Sequence, residues 1–184
     1  MRLQCPVQEI MVENNNVVAV KANGEIIKVS AVISTAPANI LAKIVKGTEV
    51  LRGFSQFRFR PVIFINLRLE GKDLLPDTVL WFPENKFPFF RVTEVTRSMP
   101  WLAPPGKSII TVDIGCQKDD EYLTMDEKVI TDLCLQHLKT TVPDIHTRLL
   151  GSNVLKTPIA YPVFLNQYEK NDRISSNQQI LTIS

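Results

Sequence analysis

Arg52, Arg58, Arg60 and Arg68 interleave with Phe54, Phe57 and Phe59. Positive charge mixed with aromatic rings is the composition of a single-stranded nucleic-acid platform, on which bases stack while cations track phosphates. The spacing argues against that use. In an extended chain Phe57 and Phe59 point to the side opposite Arg58 and Arg60, so rings and charges do not share one surface. The stretch reads as a strand with one core face and one charged face, and no nucleic-acid partner is expected.

The other reactive side chains are dispersed. His137 and His146 have no carboxylate or cysteine at ligand spacing, which points to packing or surface roles. Cys5, Cys116 and Cys134 are odd in number and lack a CxxC pair, so buried free thiols are expected in place of disulfides or a zinc site. Ser34 and Thr35 stand before a helical pattern, where hydroxyls cap backbone amides. Asp119, Asp120 and Glu121 read as a solvated turn. No metal is expected, and no side chain is assigned a catalytic role. Neither GxGxxG nor GxxxxGK[ST] occurs in the sequence, so the usual backbone cradle for a dinucleotide or nucleoside triphosphate is missing.

The elements that would position a site can be read from periodicity. Cys5 to Val12 and Val17 to Ala22 are valine-rich runs separated by three asparagines, which predicts a hairpin. Asn23 and Gly24 make a second tight turn before a strand over Glu25 to Ser34. Pro37 fits the first turn of a helix carrying Ile40, Leu41, Ile44 and Val45, with Gly47 as its stop. Phe57, Phe59, Ile63, Ile65, Leu67 and Leu69 then alternate along a strand interrupted by Pro61. Strands over Thr78 to Phe82, Phe89 to Val95 and Ser108 to Cys116 predict an antiparallel meander, and prolines around Trp101 mark a rigid loop. Thr124 and Glu127 form a capping box for a helix bearing Met125, Val129, Leu133, Leu135 and Leu138, closed by Pro143. Two prolines in TPIAYPVF disfavour a central strand. With 45% hydrophobic and 22% charged residues over 184 positions, the chain has an ordinary globular composition. A net charge of +2 excludes nothing. No apolar run is long enough to span a bilayer and no signal segment leads the chain, so a cytoplasmic location is expected.

The hairpin, VISTAPA at Val32–Ala38, the strand at Pro61 to Leu69, FFRVTEV at Phe89–Val95 and AYPVF from Ala160 occur together. That combination resembles the flavin-dependent amine oxidase superfamily, including relatives of protoporphyrinogen oxidase and phytoene desaturase. The resemblance implies an α+β fold with an antiparallel substrate-domain sheet and flanking helices, joined to a β-hairpin portion of an FAD-binding domain. It implies residues 1–36 as partial FAD-binding domain, 37–156 as substrate domain and 157–184 as a return segment, the whole being the middle of a longer enzyme. Val7 matches a position that contacts the flavin adenine through backbone atoms. Phe64 stands where lysine-bearing amine oxidases place their lysine, which favours hydride removal from an apolar small molecule, with FAD supplying the chemistry. Trp81, Phe90, Arg91 and Tyr161 are the expected substrate-cavity residues beside Phe64, since such pockets are mainly aromatic with a few polar anchors. The expected partners are that substrate and either a missing Rossmann segment or a second copy meeting the exposed hairpin. The competing expectation is a noncatalytic ligand-binding or interaction module derived from the same family. On either reading the chain alone is expected to be inactive.

Overall fold

A computed structural model describes residues 1–163 of the chain. The expected return segment therefore lies outside the described residues from position 164 on. The chain separates into two compact units, one formed by Met1–Arg58 with the returning Pro162 and Val163, the other by Phe59–Tyr161.

In the first unit, β1 (Val7–Glu13), β2 (Asn16–Ala22) and β3 (Glu25–Lys28) follow one another through two asparagine turns. Asn14 and Asn15 have φ of 48° and 63°, and Asn23 and Gly24 have 49° and 80°. Positive φ at both central residues twists a tight turn the way paired strands twist, and Asn and Gly tolerate it best. A helix α1 (Ala38–Ile44) and a two-residue strand β4 (Val45–Lys46) complete the unit. The sheet order is β3-β2-β1-β4, with β4 parallel to β1 and the other pairs antiparallel. Ile10, Val12 and Val17 are its buried centre, and Val29, Val32, Leu41 and Ile44 pack on them.

Three expectations change here. The strand after Gly24 ends at Lys28 instead of Ser34; Val29 still donates to the Val18 carbonyl at 3.1 Å, and Val29 and Val32 pack on the small core. Ser34 and Thr35 do not cap α1. Ser34 Oγ accepts from the Ala36 amide at 3.2 Å, while Pro37 is the residue before the helix and its carbonyl accepts from Ile40 and Leu41. Gly47 is not the helix stop, since β4 intervenes. Its φ of +90° and its close approach to β1, where a Cβ would collide with the Val12 carbonyl, explain why glycine stands there.

The second unit is built on a five-stranded sheet. Its strands are β5 (Phe59–Glu70), β6 (Val79–Trp81), β7 (Arg91–Glu94), β8 (Lys107–Gly115) and β9 (Leu149–Pro162), in the order β6-β7-β8-β5-β9. β6, β7 and β8 form the expected antiparallel meander. β5 pairs with β8 from Val62↔Gly115 to Glu70↔Lys107, so the chain crosses the sheet between β5 and β6. β5 and β8 are the two longest apolar strands before β9, and pairing them buries the most side-chain area at the centre. β9 begins at Leu149, earlier than the proline pattern suggested, and Pro158 and Pro162 sit in an edge strand where missing N–H donors cost least.

Alternation along these strands makes the core. Ile63, Ile65, Leu67 and Leu69 of β5 and Ile110, Val112 and Ile114 of β8 are all fully buried, each contributing about 1.5–3 kcal/mol through lost apolar surface. Helix α3 (Glu127–Leu138) covers them with Ile130, Cys134, Leu135 and Leu138. The expected capping box is displaced: Asp126, not Thr124, is the N-cap, its carboxylate accepting from Lys128 at 2.8 Å and Val129 at 3.4 Å. The buried face of the helix runs through Ile130, Cys134, Leu135 and Leu138, so Val129 lies exposed and Ile130 takes the core position. Short helices α2 (Val95–Ser98) and α4 (Ile145–Arg148) close the connections. Cys116 and Cys134 are buried free thiols and Cys5 is half-buried.

Candidate functional site

The residues that β8 does not give to the core face the other way, and there the register aligns a row across four strands. Trp81 of β6 stands opposite Arg91 of β7, Arg91 opposite Asp113 of β8, and Asp113 opposite Phe64 of β5. Directly opposed residues of antiparallel strands share a face, with their side chains within contact range. The next row repeats the pattern in polar form, with Val79, Thr93, Thr111 and Asn66 in line and Thr111 donating to Asn66 at 2.8 Å.

Arg91 is the centre of this face. Its Nε donates to Asp113 Oδ2 at 2.7 Å and its Nη2 donates to the Tyr161 hydroxyl at 3.1 Å. Its guanidinium carbon lies 5.4 Å from the Trp81 ring centre and 5.7 Å from that of Phe90. Trp81 and Phe90 are 5.9 Å apart, and Phe90 and Tyr161 meet edge-on at 6.5 Å. A delocalised guanidinium suits this setting because it can hydrogen-bond in its plane while its faces lie on aromatic rings. Asp113 is 2% exposed. Burial pushes its carboxyl above the ordinary range, and the hydrogen bond and charge of Arg91 pull it back only in part. Burial opposes the charge of Arg91, yet the hydrogen bond and charge of Asp113 leave its pKa raised.

Beside this row the second unit holds an open cavity of about 620 Å³. Trp81, Phe90, Arg91 and Tyr161 all line it, with Arg60 and Glu84 adding charge of both signs. Phe82, Phe87 and Phe89 also line it, as a mutually packed cluster with ring separations of 4.8 to 5.6 Å. His137 packs at 5.9 Å from Phe87 and 6.5 Å from Phe89, which accounts for it as a packing residue. Trp81 and Tyr161 remain 64% and 42% exposed, so the cavity wall is open to solvent.

Of the five residues expected at a substrate cavity, four therefore converge, from β6, β7 with the residue before it, and β9. Phe64 does not line the cavity; it is half-buried one strand further along the Asp113 row. Val7 lies in the first unit as the opening residue of β1 and is 43% exposed. Sequence reasoning missed Asp113, although a single carboxylate inside the apolar run IITVDIG is a visible signal for a buried partner of a cation. Among the described residues no group of three or more His, Cys, Asp or Glu could hold a metal, and no helix is long and apolar enough to cross a membrane.

The second unit is α+β, with an open aromatic cavity on the far face of its antiparallel sheet. The family model for flavin containing amine oxidoreductase matches residues 1–174. The chain belongs to that family. Its fold is similar to that of reduced UDP-galactopyranose mutase (TM-score 0.70, 16% identity, 94% of this chain and 38% of that one). It is also similar to a putative protoporphyrinogen oxidase from Exiguobacterium sp. 255-15 (TM-score 0.66, 13% identity, 98% and 40%). A third similar structure is putrescine oxidase bound to putrescine (TM-score 0.60, 14% identity, 87% and 37%). This chain thus spans 38% and 40% of the length of the first two. No curated protein matches it.

The family implies a flavin, and the residues here fit it only in part. The exposed start of β1 at Val7 offers backbone atoms of the kind an adenine ring could meet, because β4 pairs β1 only at Ile10 and Met11. Among the described residues nothing comparable serves the diphosphate: no glycine-rich turn leads into a helix N-terminus, and α1 starts behind Pro37.

Proposed function

We infer that this chain forms the substrate side of a cytoplasmic FAD-dependent oxidoreductase that removes hydride from an apolar small molecule, with the diphosphate-binding segment supplied from outside these residues. When bound, the flavin supplies the redox chemistry. The aromatic walls Trp81, Phe90 and Tyr161 receive the apolar body of the substrate and exclude water from it. Arg91, held by Asp113 and Tyr161, orients any polar group without having to reorganise. The observation that carries the reading is this pre-fixed guanidinium between aromatic rings at the wall of a cavity large enough for a small molecule. The 37–156 substrate segment and the 1–36 flavin-side segment are proposed on the same basis. The outer strand β3, with Ile26 61% exposed, is where strands of a segment outside these residues, or a second copy, would add.

A noncatalytic module that holds an apolar ligand is the second reading. It is favoured by the scarcity of proton-transfer groups at the cavity, where Glu84 is the one carboxylate among the lining residues. Both readings require ligand binding, and cofactor separates them. The test is to express the chain alone and together with a dinucleotide-binding segment of the family, then record visible absorption and cofactor release on denaturation. Flavin retained only by the reconstituted pair, with Trp81 fluorescence quenched by apolar ligands, supports the enzyme reading. Ligand binding without flavin in either preparation supports the module. Stoichiometric flavin on the chain alone overturns the need for an external segment.

A further inference from the structure

The loop from Met99 to Pro105 has no role in the cavity, yet it carries the most exposed aromatic ring among the described residues. Trp101 is 75% exposed, Met99 48% and Leu102 47%, with Leu150 of β9 at 49% nearby. Two hollows flank the loop. One is lined by Leu102, Ala103, Pro104, Ile109 and Leu150 together with Arg68 and Lys107. The other brings Pro100 together with Lys72, Arg97 and Lys107. An apolar tip thus rises from a base of four cations.

The electrostatics of that base are unbalanced. Arg97 pairs with Asp73 at 3.3 Å, but Arg68, Lys72 and Lys107 make no ion pair among the described residues. Glu70, opposite Lys107 in the ladder, is the other exposed acid adjoining the patch, and Glu94 is buried beneath it with Ser108 and the Leu75 amide as its partners. Positive charge therefore exceeds negative around the loop. The backbone is also unusual. Pro100, Pro104 and Pro105 carry no N–H, Met99 donates to Val95 at 3.0 Å and Leu102 donates to Met99 at 3.1 Å. A segment with so few donors left to satisfy can enter a water-poor layer at low cost.

We propose that the Met99–Pro105 loop is a membrane-surface contact: Trp101, Leu102 and Met99 enter the headgroup boundary of an anionic bilayer while Arg68, Lys72, Arg97 and Lys107 meet its phosphates. Tryptophan prefers that boundary because its ring is apolar and its N–H can still reach polar partners. Basic residues at the base add attraction to the anionic leaflet that salt weakens. The anchoring is peripheral, and an apolar substrate dissolved in the bilayer would meet a protein already at its surface.

The test is co-sedimentation of the 184-residue chain with phosphatidylcholine vesicles, with and without phosphatidylglycerol, at low and high salt. Binding to the anionic vesicles, weak binding to neutral ones and loss at high salt are expected. Trp101→Ser should weaken partitioning by about tenfold, and the pair Arg68→Gln with Lys107→Gln should remove most of the salt dependence. These positions lie at the surface, and far-ultraviolet circular dichroism of each variant controls for folding. In a Trp81→Phe background, brominated acyl chains should quench the remaining tryptophan, Trp101. No binding to anionic vesicles, or equal binding by wild type and Trp101→Ser, overturns the proposal. So does a Trp101-dependent self-association by light scattering with no vesicle binding, which would assign the loop to a protein contact.

Discussion

Arg91 and Asp113 face each other across β7 and β8 on the side of the sheet that the core does not use, and their ion pair is roofed by Trp81, Phe90 and Tyr161. Asp113 is nearly inaccessible while about a quarter of the Arg91 side chain, 27%, remains open. The pair therefore has a buried anion and a cation that still reaches the cavity. That asymmetry determines how the two positions should respond to substitution.

Arg91→Met leaves a buried carboxylate without its counter-charge, and the expected loss is about 2 to 3 kcal/mol, below the fully buried range because Arg91 is partly solvated. Combining it with Asp113→Asn should recover part of that loss. Denaturant unfolding of the two single variants and the double variant measures the coupling. Additive effects would mean that the two groups do not interact.

Trp81→Ala should lower stability by less than about 1 kcal/mol, because most of the ring is already solvated, whereas Ile130→Ala from the buried face of α3 should cost about 2 to 5 kcal/mol. Ligand binding should respond in the opposite order. Equal stability losses at the two positions would make Trp81 a packing residue.

Burial raises the Cys116 thiol from 9.0 to about 11 and the Cys134 thiol from 9.0 to about 12. An acid whose pKa is higher in the folded chain stabilises it at pH below the unfolded value, and that contribution is lost as pH rises. Stability should fall through the window from pH 9 toward 11 and 12, by at most about 1.4 kcal/mol per unit for each thiol. Cys134→Ala should flatten the fall. At neutral pH a thiol reagent should label Cys5 first and the two buried thiols only on unfolding, which timed mass spectrometry resolves.

Asp126→Ala should cost about 1 kcal/mol through the lost N-cap, while Thr124→Ala should be close to neutral. The midpoints of urea unfolding compare them. The contrast is informative because Thr124 and Glu127 satisfy the sequence pattern of a capping box, yet Thr124 Oγ1 donates to the Glu121 carbonyl one turn earlier. Asp126 stands closer to the helix and its carboxylate also favours the positive helix end.

The amino-acid sequence by itself determined the local elements whose chemistry is carried by neighbours. The asparagine turns are legible because few residues accept positive φ, and the core face of β5 is legible because alternation leaves Ile63, Ile65, Leu67 and Leu69 one direction to point. The prolines of β9 disfavour a central strand, and β9 lies at the sheet edge. Only the tertiary structure decided which strands meet. The pairing of β5 with β8 joins residues far apart in the chain, and no local pattern encodes that choice, since any sufficiently apolar strand could have filled the centre. That pairing, with β7 on the other side of β8, sets Asp113 between Phe64 and Arg91. It also leaves Phe64 outside the cavity that Arg91, Trp81, Phe90 and Tyr161 share. The expectation of an aromatic, singly anchored cavity comes from the family resemblance; strand register, a property of long-range packing, decides which of those residues touch.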